Sequence, residues 1–406
     1  MYSTNVTPIL DGCFPSRPLQ PCRSSGATRQ RGGSANLSPS DPHVHRPSGG
    51  NRVTQPSRTD RRSLGSNPGQ RGRLGWGQLR RPGAPPGPVT ALRCWGQTGA
   101  VVRYDPSTNA LSRPWTLLDS IAKSSNPNDL SPVAGLQDLT TTSDGRLLGV
   151  FGFRGDPATR PSGTVFAKLV EFKASSPTPI PLADLGAFET SNPSHTPPFS
   201  NPFALAWKAG ISYITDAGAN RLLKVNDGSS TVEKLQDFAN ISTTTPPAEA
   251  VPTGLDVSPT GTLYNTQLPG FPFTAGTASI FASNGTANSA TTIAGGFTNV
   301  MDLSLGADGW LYLVQYAEDF FNPVATGSLR RFNPVTLERQ VLAENIDRPT
   351  GVLALPDGTV YVATGGSTTK GALVRYTPGP LPIAGALLAW RQARILRRRV
   401  KSQRLA

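Results

Sequence analysis

Cysteine is nearly absent from this 406-residue chain: Cys13, Cys22 and Cys94 are all it holds, with none from Trp95 onward. The body of the chain therefore needs no disulfide and can build no cysteine-ligated metal site. Histidine is equally scarce. Beyond residue 88 there is one, His195, in the proline-rich stretch SNPSHTPPFSNP. A two-histidine hydrolytic site is excluded by count, and a Ser-His-Asp triad would have to use this single loop ring as its base. Phosphate-binding loops are missing too, since GGSANLS and ATGGSTTKG lack the Walker spacing. Lysine is absent from residues 1–88, although thirteen arginines stand there.

The charge that is present is unevenly placed. The total is +13, but residues 1–88 carry +10 and the tail from Gly379 carries +7, which leaves the middle at −4. A mildly acidic middle is not a nucleic-acid platform, so an arginine-arm nucleic-acid protein is the least favoured reading. Residues 1–88 are crowded with Pro, Gly, Ser and Arg and are expected to be a disordered leader, with too few large apolar residues to offset chain entropy. They contain no apolar stretch followed by a small-residue cleavage site, so they make no secretory signal, and they read as an unselected leader from an upstream start.

One pattern recurs between residues 135 and 366, within an expected propeller domain of residues 89–378: an apolar-alternating run, a tight glycine turn, then a second run rich in Tyr, Leu and Val. The copies are QDLTTTSDGRLLGVF from Gln137, PFALAWKAGISYITD from Pro202, TGLDVSPTGTLYNT from Thr253, MDLSLGADGWLYLVQY from Met301 and TGVLALPDGTVYVAT from Thr350. Each reads as a hairpin whose glycine supplies positive φ, and Asp144, Asp308 and Asp357 are turn formers. The turn glycines Gly145, Gly210, Gly261, Gly309 and Gly358 are 65, 51, 48 and 49 residues apart. A period near fifty residues with four short strands per unit predicts an all-β propeller. A third strand follows each hairpin, and an extra copy, GAVVRYDP from Gly99, precedes the first. That copy raises the expected number of blades to six, with five as the alternative, and Leu92–Asp105 is expected to close the ring against the end of the repeat region.

The run VMDLSLGADGWLYLVQY from Val300, with TGSLRRFNP from Thr326 and RPTGVLALPDGTVYVATGG from Arg348, resembles the ScyD/ScyE family of cyanobacterial β-propeller proteins, named for their association with scytonemin biosynthesis. The resemblance covers residues 95–378 and is strongest after Pro252. Residues 379–406 carry a second one: Pro378-Gly-Pro-Leu-Pro, an apolar stretch and a final arginine cluster look like a PEP-CTERM sorting tail. Leu381–Trp390 is ten residues, half of the roughly twenty that cross a bilayer as a helix, so transient membrane association is expected. An exosortase-type processing enzyme is the partner this resemblance implies. The expected location is extracellular or the cell envelope if the tail sorts, and cytoplasmic if the chain starts where written.

Candidate site residues follow from the repeat. Seven positions before the turn glycine the inner strand carries Asp138, Gly254, Asp302 and Gly351, with Phe203 or Ala204 in the shorter hairpin. Asp138 and Asp302 are the candidate metal ligands, for a hard cation such as Ca2+, with Glu318 and Asn299 as weaker additions. The competing role for such an aspartate is to cap backbone amides of the neighbouring blade. Phe199, Phe271, Phe273, Phe320 and Phe321 lie in irregular segments and are expected to form a ligand-binding loop face, with Phe188 and Phe203 nearby. The expected function is a non-enzymatic propeller that binds a small molecule or protein through this face. A calcium-dependent lactonase-like hydrolase is the alternative.

Overall fold

The computed structural model describes residues 94–122, 134–322, 324–366 and 371–377. The expectations placed on residues 1–88 and 379–406 lie outside them. The described chain is almost entirely β, with a seven-residue helix, α1 (Leu185–Ser191), and a single 3-10 turn at Pro157–Thr159.

A twisted hairpin, β1 (Cys94–Asp105) and β2 (Ala110–Ala122), comes first. Five radial sheets follow. Blade 1 is β3 (Leu136–Thr141), β4 (Leu147–Phe151), β5 (Lys168–Phe172) and β6 (Ile180–Asp184). Blade 2 is β7 (Pro202–Lys208), β8 (Ile211–Asp216), β9 (Arg221–Asn226) and β10 (Val232–Asp237). Blade 3 is β11 (Pro252–Val257), β12 (Leu263–Gln267), β13 (Ala278–Ser283) and β14 (Thr291–Phe297). Blade 4 is β15 (Val300–Leu305), β16 (Leu311–Gln315), β17 (Gly327–Phe332) and β18 (Arg339–Ile346). Blade 5 is β19 (Gly351–Ala354), β20 (Val360–Thr364) and β21 (Ala372–Tyr376), three strands among the described residues. Every neighbouring pair is antiparallel and consecutive in the chain. This order of radial meanders is that of a five-bladed β-propeller.

The count of six blades is corrected to five. A blade needs an inner hairpin, and among the described residues none precedes the copy at Gly99. It pairs with the residues that follow, from Cys94↔Ala122 to Asp105↔Ala110, and makes a two-stranded sheet instead. The expected closure of Leu92–Asp105 against the last repeat is corrected with it: the ladder partner of β1 is β2, and β1 meets blade 5 through Tyr104, whose ring lies 5.9 Å from that of Tyr361. On its other side Val101 and Leu118 share a core with Leu136, Leu139, Phe151 and Phe172 of blade 1.

The hairpin turns are as the sequence demands, with φ between 80° and 93° at Gly145, Gly210, Gly261, Gly309 and Gly358. Gly254 serves a different purpose. A Cβ there would stand 2.5 Å from the Leu303 nitrogen and 2.7 Å from the Asp302 Cα, so the inner strands of blades 3 and 4 touch backbone to backbone. Gly254→Ala is therefore expected to cost about 1–3 kcal/mol by forcing the two blades apart. Chemical denaturation checks this, with Gly295→Ala, whose Cβ would meet nothing nearer than 3.6 Å, as the variant that leaves the midpoint in place.

Candidate functional site

Three inner-strand carboxylates repeat one arrangement. Asp138 accepts hydrogen bonds from its own neighbour, Leu139 N at 2.7 Å, and from Leu205 N of blade 2, also at 2.7 Å. Asp302 does the same with Leu303 N at 2.8 Å and Val352 N of blade 5 at 2.9 Å. Asp256 accepts from Val257 N and from Leu305 N of blade 4, both at 2.7 Å. One oxygen of each carboxylate orders its own strand, and the other holds the inner strand of the following blade. Ser304 Oγ continues the pattern on Ala354 N at 3.1 Å. Amide capping of the next blade, weighed above against metal binding, is thus what both oxygens of Asp138 and Asp302 do.

Each of the three is half-buried in the ring. Burial raises all three carboxyl groups against the pull of their amide donors: Asp256 to about 6 and Asp302 to about 7. Asp138 is pushed well up by burial, and further by the charges of Asp302 and Asp256. Among the described residues no three His, Cys, Asp or Glu side chains come together to hold a metal ion. The two weaker candidates are engaged elsewhere. Glu318 Oε1 accepts from Gln315 Nε2 at 3.1 Å and Arg330 Nη2 at 3.2 Å. Asn299 Nδ2 donates to Ala317 O at 3.0 Å, while its buried Oδ1 has no hydrogen-bond partner. These side chains do not assemble a calcium shell, and no chemical step is derived through one.

His195, the one histidine among the described residues, proves better connected than its loop suggests. Ser194 Oγ lies 2.8 Å from His195 Nδ1 and 2.6 Å from Glu189 Oε1, and His195 Nε2 is 3.9 Å from Glu249 Oε1. The serine hydroxyl is thus shared with a carboxylate that is itself bound to Arg221 at 2.6 Å, which suits a brace between loops better than a nucleophile.

The loop face is where aromatic residues converge. Strands alternate in direction, so the connections between second and third strands open at one end of every blade, the end where each inner strand begins. There the β12–β13 connection of blade 3 and the β16–β17 connection of blade 4 meet. Buried Tyr316 stacks on Phe320 at 5.7 Å, Phe320 on Phe273 at 4.2 Å, and Phe321 packs on Phe273 at 5.4 Å and on Phe271 at 6.1 Å. The Tyr316 hydroxyl donates to Gly366 O of blade 5 at 3.3 Å, which anchors this ladder in a third blade. It rises from the core to Phe321, which is 60% exposed beside Val324 at 81%. Phe199 is not part of it: its ring lies against Gly218 in blade 2, where a Cβ would meet it at 2.8 Å. Phe203 is a core residue of β7, and Phe188 packs from α1 onto the core of blades 1 and 2.

No family model matches the chain, and no curated protein matches it. Solved structures similar to it include a chain of a nidogen/laminin complex, at 15% identity over 70% of this chain and 93% of that one with a TM-score of 0.45. A protein of unknown function from Bacteroides thetaiotaomicron shares 12% identity over 69% and 64%, with a TM-score of 0.45. A gluconolactonase from Xanthomonas campestris shares 14% over 60% and 76%, with a TM-score of 0.40.

Proposed function

We propose that this β-propeller is a non-enzymatic binding protein of the ScyD/ScyE kind, exported to the cell surface, that takes a small molecule or a protein partner on its loop face. The observation that carries the reading is the ladder Tyr316, Phe320, Phe273, Phe321 and Phe271: rings buried at one end and open at the other give a rigid apolar surface at little entropic cost. The carboxylates that a hydrolase would need are committed to backbone amides. The tail beyond Pro378 acts as the sorting signal and membrane contact, processed by an exosortase-type enzyme.

Two measurements test this. Intact mass of the native protein from envelope and cytosolic fractions is expected to reveal an envelope form lacking residues 1–88 and the tail beyond Pro378, whereas a full-length cytosolic product overturns export. Co-sedimentation of the purified protein with envelope fractions of its own cells tests the ladder. Phe321→Ala is expected to weaken it at least about tenfold, a loss of about 1.4 kcal/mol, while stability changes by less than about 0.5 kcal/mol because the ring is mostly exposed. Sedimentation unchanged in Phe321→Ala and in Phe271→Ala would remove the ladder from the binding face. Lactone turnover that needs calcium and is lost in Asp302→Asn would replace this reading by the hydrolase.

A further inference from the structure

The aromatic ladder is bordered by charge of one sign. Its rings come from segments 268–277 and 316–322, and segment 248–251 runs beside the first, with Gly270 N donating to Glu249 O at 2.8 Å. These three segments hold Glu249, Glu318 and Asp319 and no lysine, arginine or histidine. Asp319 Oδ1 accepts from the amide of Phe321 at 3.1 Å, which fixes a carboxylate beside the exposed ring, and among the described residues no basic side chain pairs with it. Glu249 stands one residue from the ladder: a Cβ on Gly270 would lie 3.0 Å from the Glu249 Cβ, and Phe271 comes next. The basic group that faces this carboxylate is His195, at 3.9 Å. Glu318 differs, since Arg330 matches it at 3.2 Å. Two of the three carboxylates thus lack a permanent cation among the described residues.

The rings ask for the same charge. Phe321 crosses Phe271, Phe273 and Phe320 at 68°, 68° and 89°, with centroids 6.1, 5.4 and 5.7 Å away, so three rings hold it while 60% of it stays in solvent. An aromatic face is negative and attracts a cation. Elsewhere the chain supplies that cation itself, with Arg339 over Phe297 at 4.5 Å and Arg331 over Trp310 at 4.3 Å. No arginine or lysine among the described residues lies over Phe271 or Phe321. One mostly exposed ring beside a half-buried Phe271 is a small footprint against the roughly 800 Å² per partner of a stable protein interface, so the size fits a small molecule.

We infer that the loop face takes a small organic cation, an ammonium group on an apolar body, with the body against Phe321 and Phe271 and the charge toward Asp319 and Glu249. This rests on the ladder being the binding face and narrows the ligand it takes. An anion of the same shape is repelled by carboxylates and ring faces alike, and a neutral analogue keeps only the apolar contact.

Titration of the full-length protein with three soluble probes that share a phenyl body tests this: benzyltrimethylammonium, benzyl alcohol and phenylacetate, followed by calorimetry. The ammonium is expected to bind at least about fivefold more tightly than the alcohol, and phenylacetate least. Phe321→Leu, which keeps apolar bulk and loses the ring face, is expected to weaken the ammonium about threefold. Asp319→Asn, whose side-chain oxygen can still accept from the Phe321 amide, is expected to reduce the preference over the alcohol by about threefold. Asp357→Asn, an exposed turn acid at the opposite end of the blades, is expected to change nothing. Equal affinity for ammonium and alcohol, or no ammonium binding, overturns the inference. So does an equal loss in Asp357→Asn, which would trace the preference to overall charge. Equal probe affinities together with envelope co-sedimentation that still falls in Phe321→Ala would strike the cation and keep the ladder as the binding face.

Discussion

Arg221→Met is expected to lower unfolding free energy by about 3–5 kcal/mol, a large part of the roughly 5–15 kcal/mol that holds a domain together. The guanidinium is buried at the start of β9. It reaches Glu189 Oε2 at 2.6 Å and Asp237 Oδ1 at 2.7 Å and donates to the Asn192 carbonyl, so it fastens α1 and its following loop to blade 2. Glu189 is 1% exposed. Without Arg221 its charge would keep only the Ser194 amide and hydroxyl as donors, at 2.7 and 2.6 Å. Most of the loss is therefore the cost of a stranded carboxylate. The double variant Arg221→Met with Glu189→Leu is expected to regain most of it, because an apolar pair asks for no solvation. Urea unfolding of the single and double variants decides the matter: equal losses in both would mean that packing alone is at stake.

Acidity is expected to act on the ring in the opposite sense to most proteins. Asp256 and Asp302 ionise near 6 and 7 in the folded chain against an ordinary value of 3.8, and burial is the main cause. Between those values the folded state holds protons that the unfolded chain has released. Stability is then fully supported below about pH 4 and falls as pH rises through about 7, by up to about 1.4 kcal/mol per pH unit for each group. Asp138, also raised, adds to the trend. Asp105, Asp144, Asp237 and Asp357 are lowered, and their contribution is lost only on acidification below the ordinary value. The two effects occupy separate windows. Unfolding free energies at pH 5 and pH 8 are expected to differ in favour of pH 5, by roughly 1.4 kcal/mol per pH unit for each group still titrating, and Asp302→Asn is expected to flatten the upper part of the slope. A profile level or rising across this window would contradict the burial of these groups.

The fold was legible because each hairpin announces itself: five turn glycines, the last four about fifty residues apart, all take the positive φ that only glycine adopts freely. The overcount came from the same signal. GAVVRYD at Gly99 has the look of a third strand, but local periodicity cannot report that it pairs with the residues that follow it in a two-stranded sheet. Counting back from the turns found Asp138 and Asp302 and passed over Asp256, which stands two residues further along its strand, at a position that blades 1 and 4 fill with Thr140 and Ser304. Phenylalanine-rich loops were visible as such. Their meeting was not, because Phe273 and Phe320 come from different blades and only the ring geometry brings them to 4.2 Å. The pair Glu189 and Arg221, 32 residues apart, leaves no mark on local sequence at all.

The carboxylate bridges all point the same way. Asp138 grasps blade 2 from blade 1, Asp256 grasps blade 4 from blade 3, and Asp302 grasps blade 5 from blade 4. Each clasp opens toward the part of the chain that is synthesised later. The junction between blades 2 and 3 is held differently, by Thr215 Oγ1 donating to Thr253 O at 2.7 Å, so the acceptor there belongs to the later blade. Among the described residues, a substitution at any of these three aspartates would therefore loosen the inner strand of the following blade as well as its own.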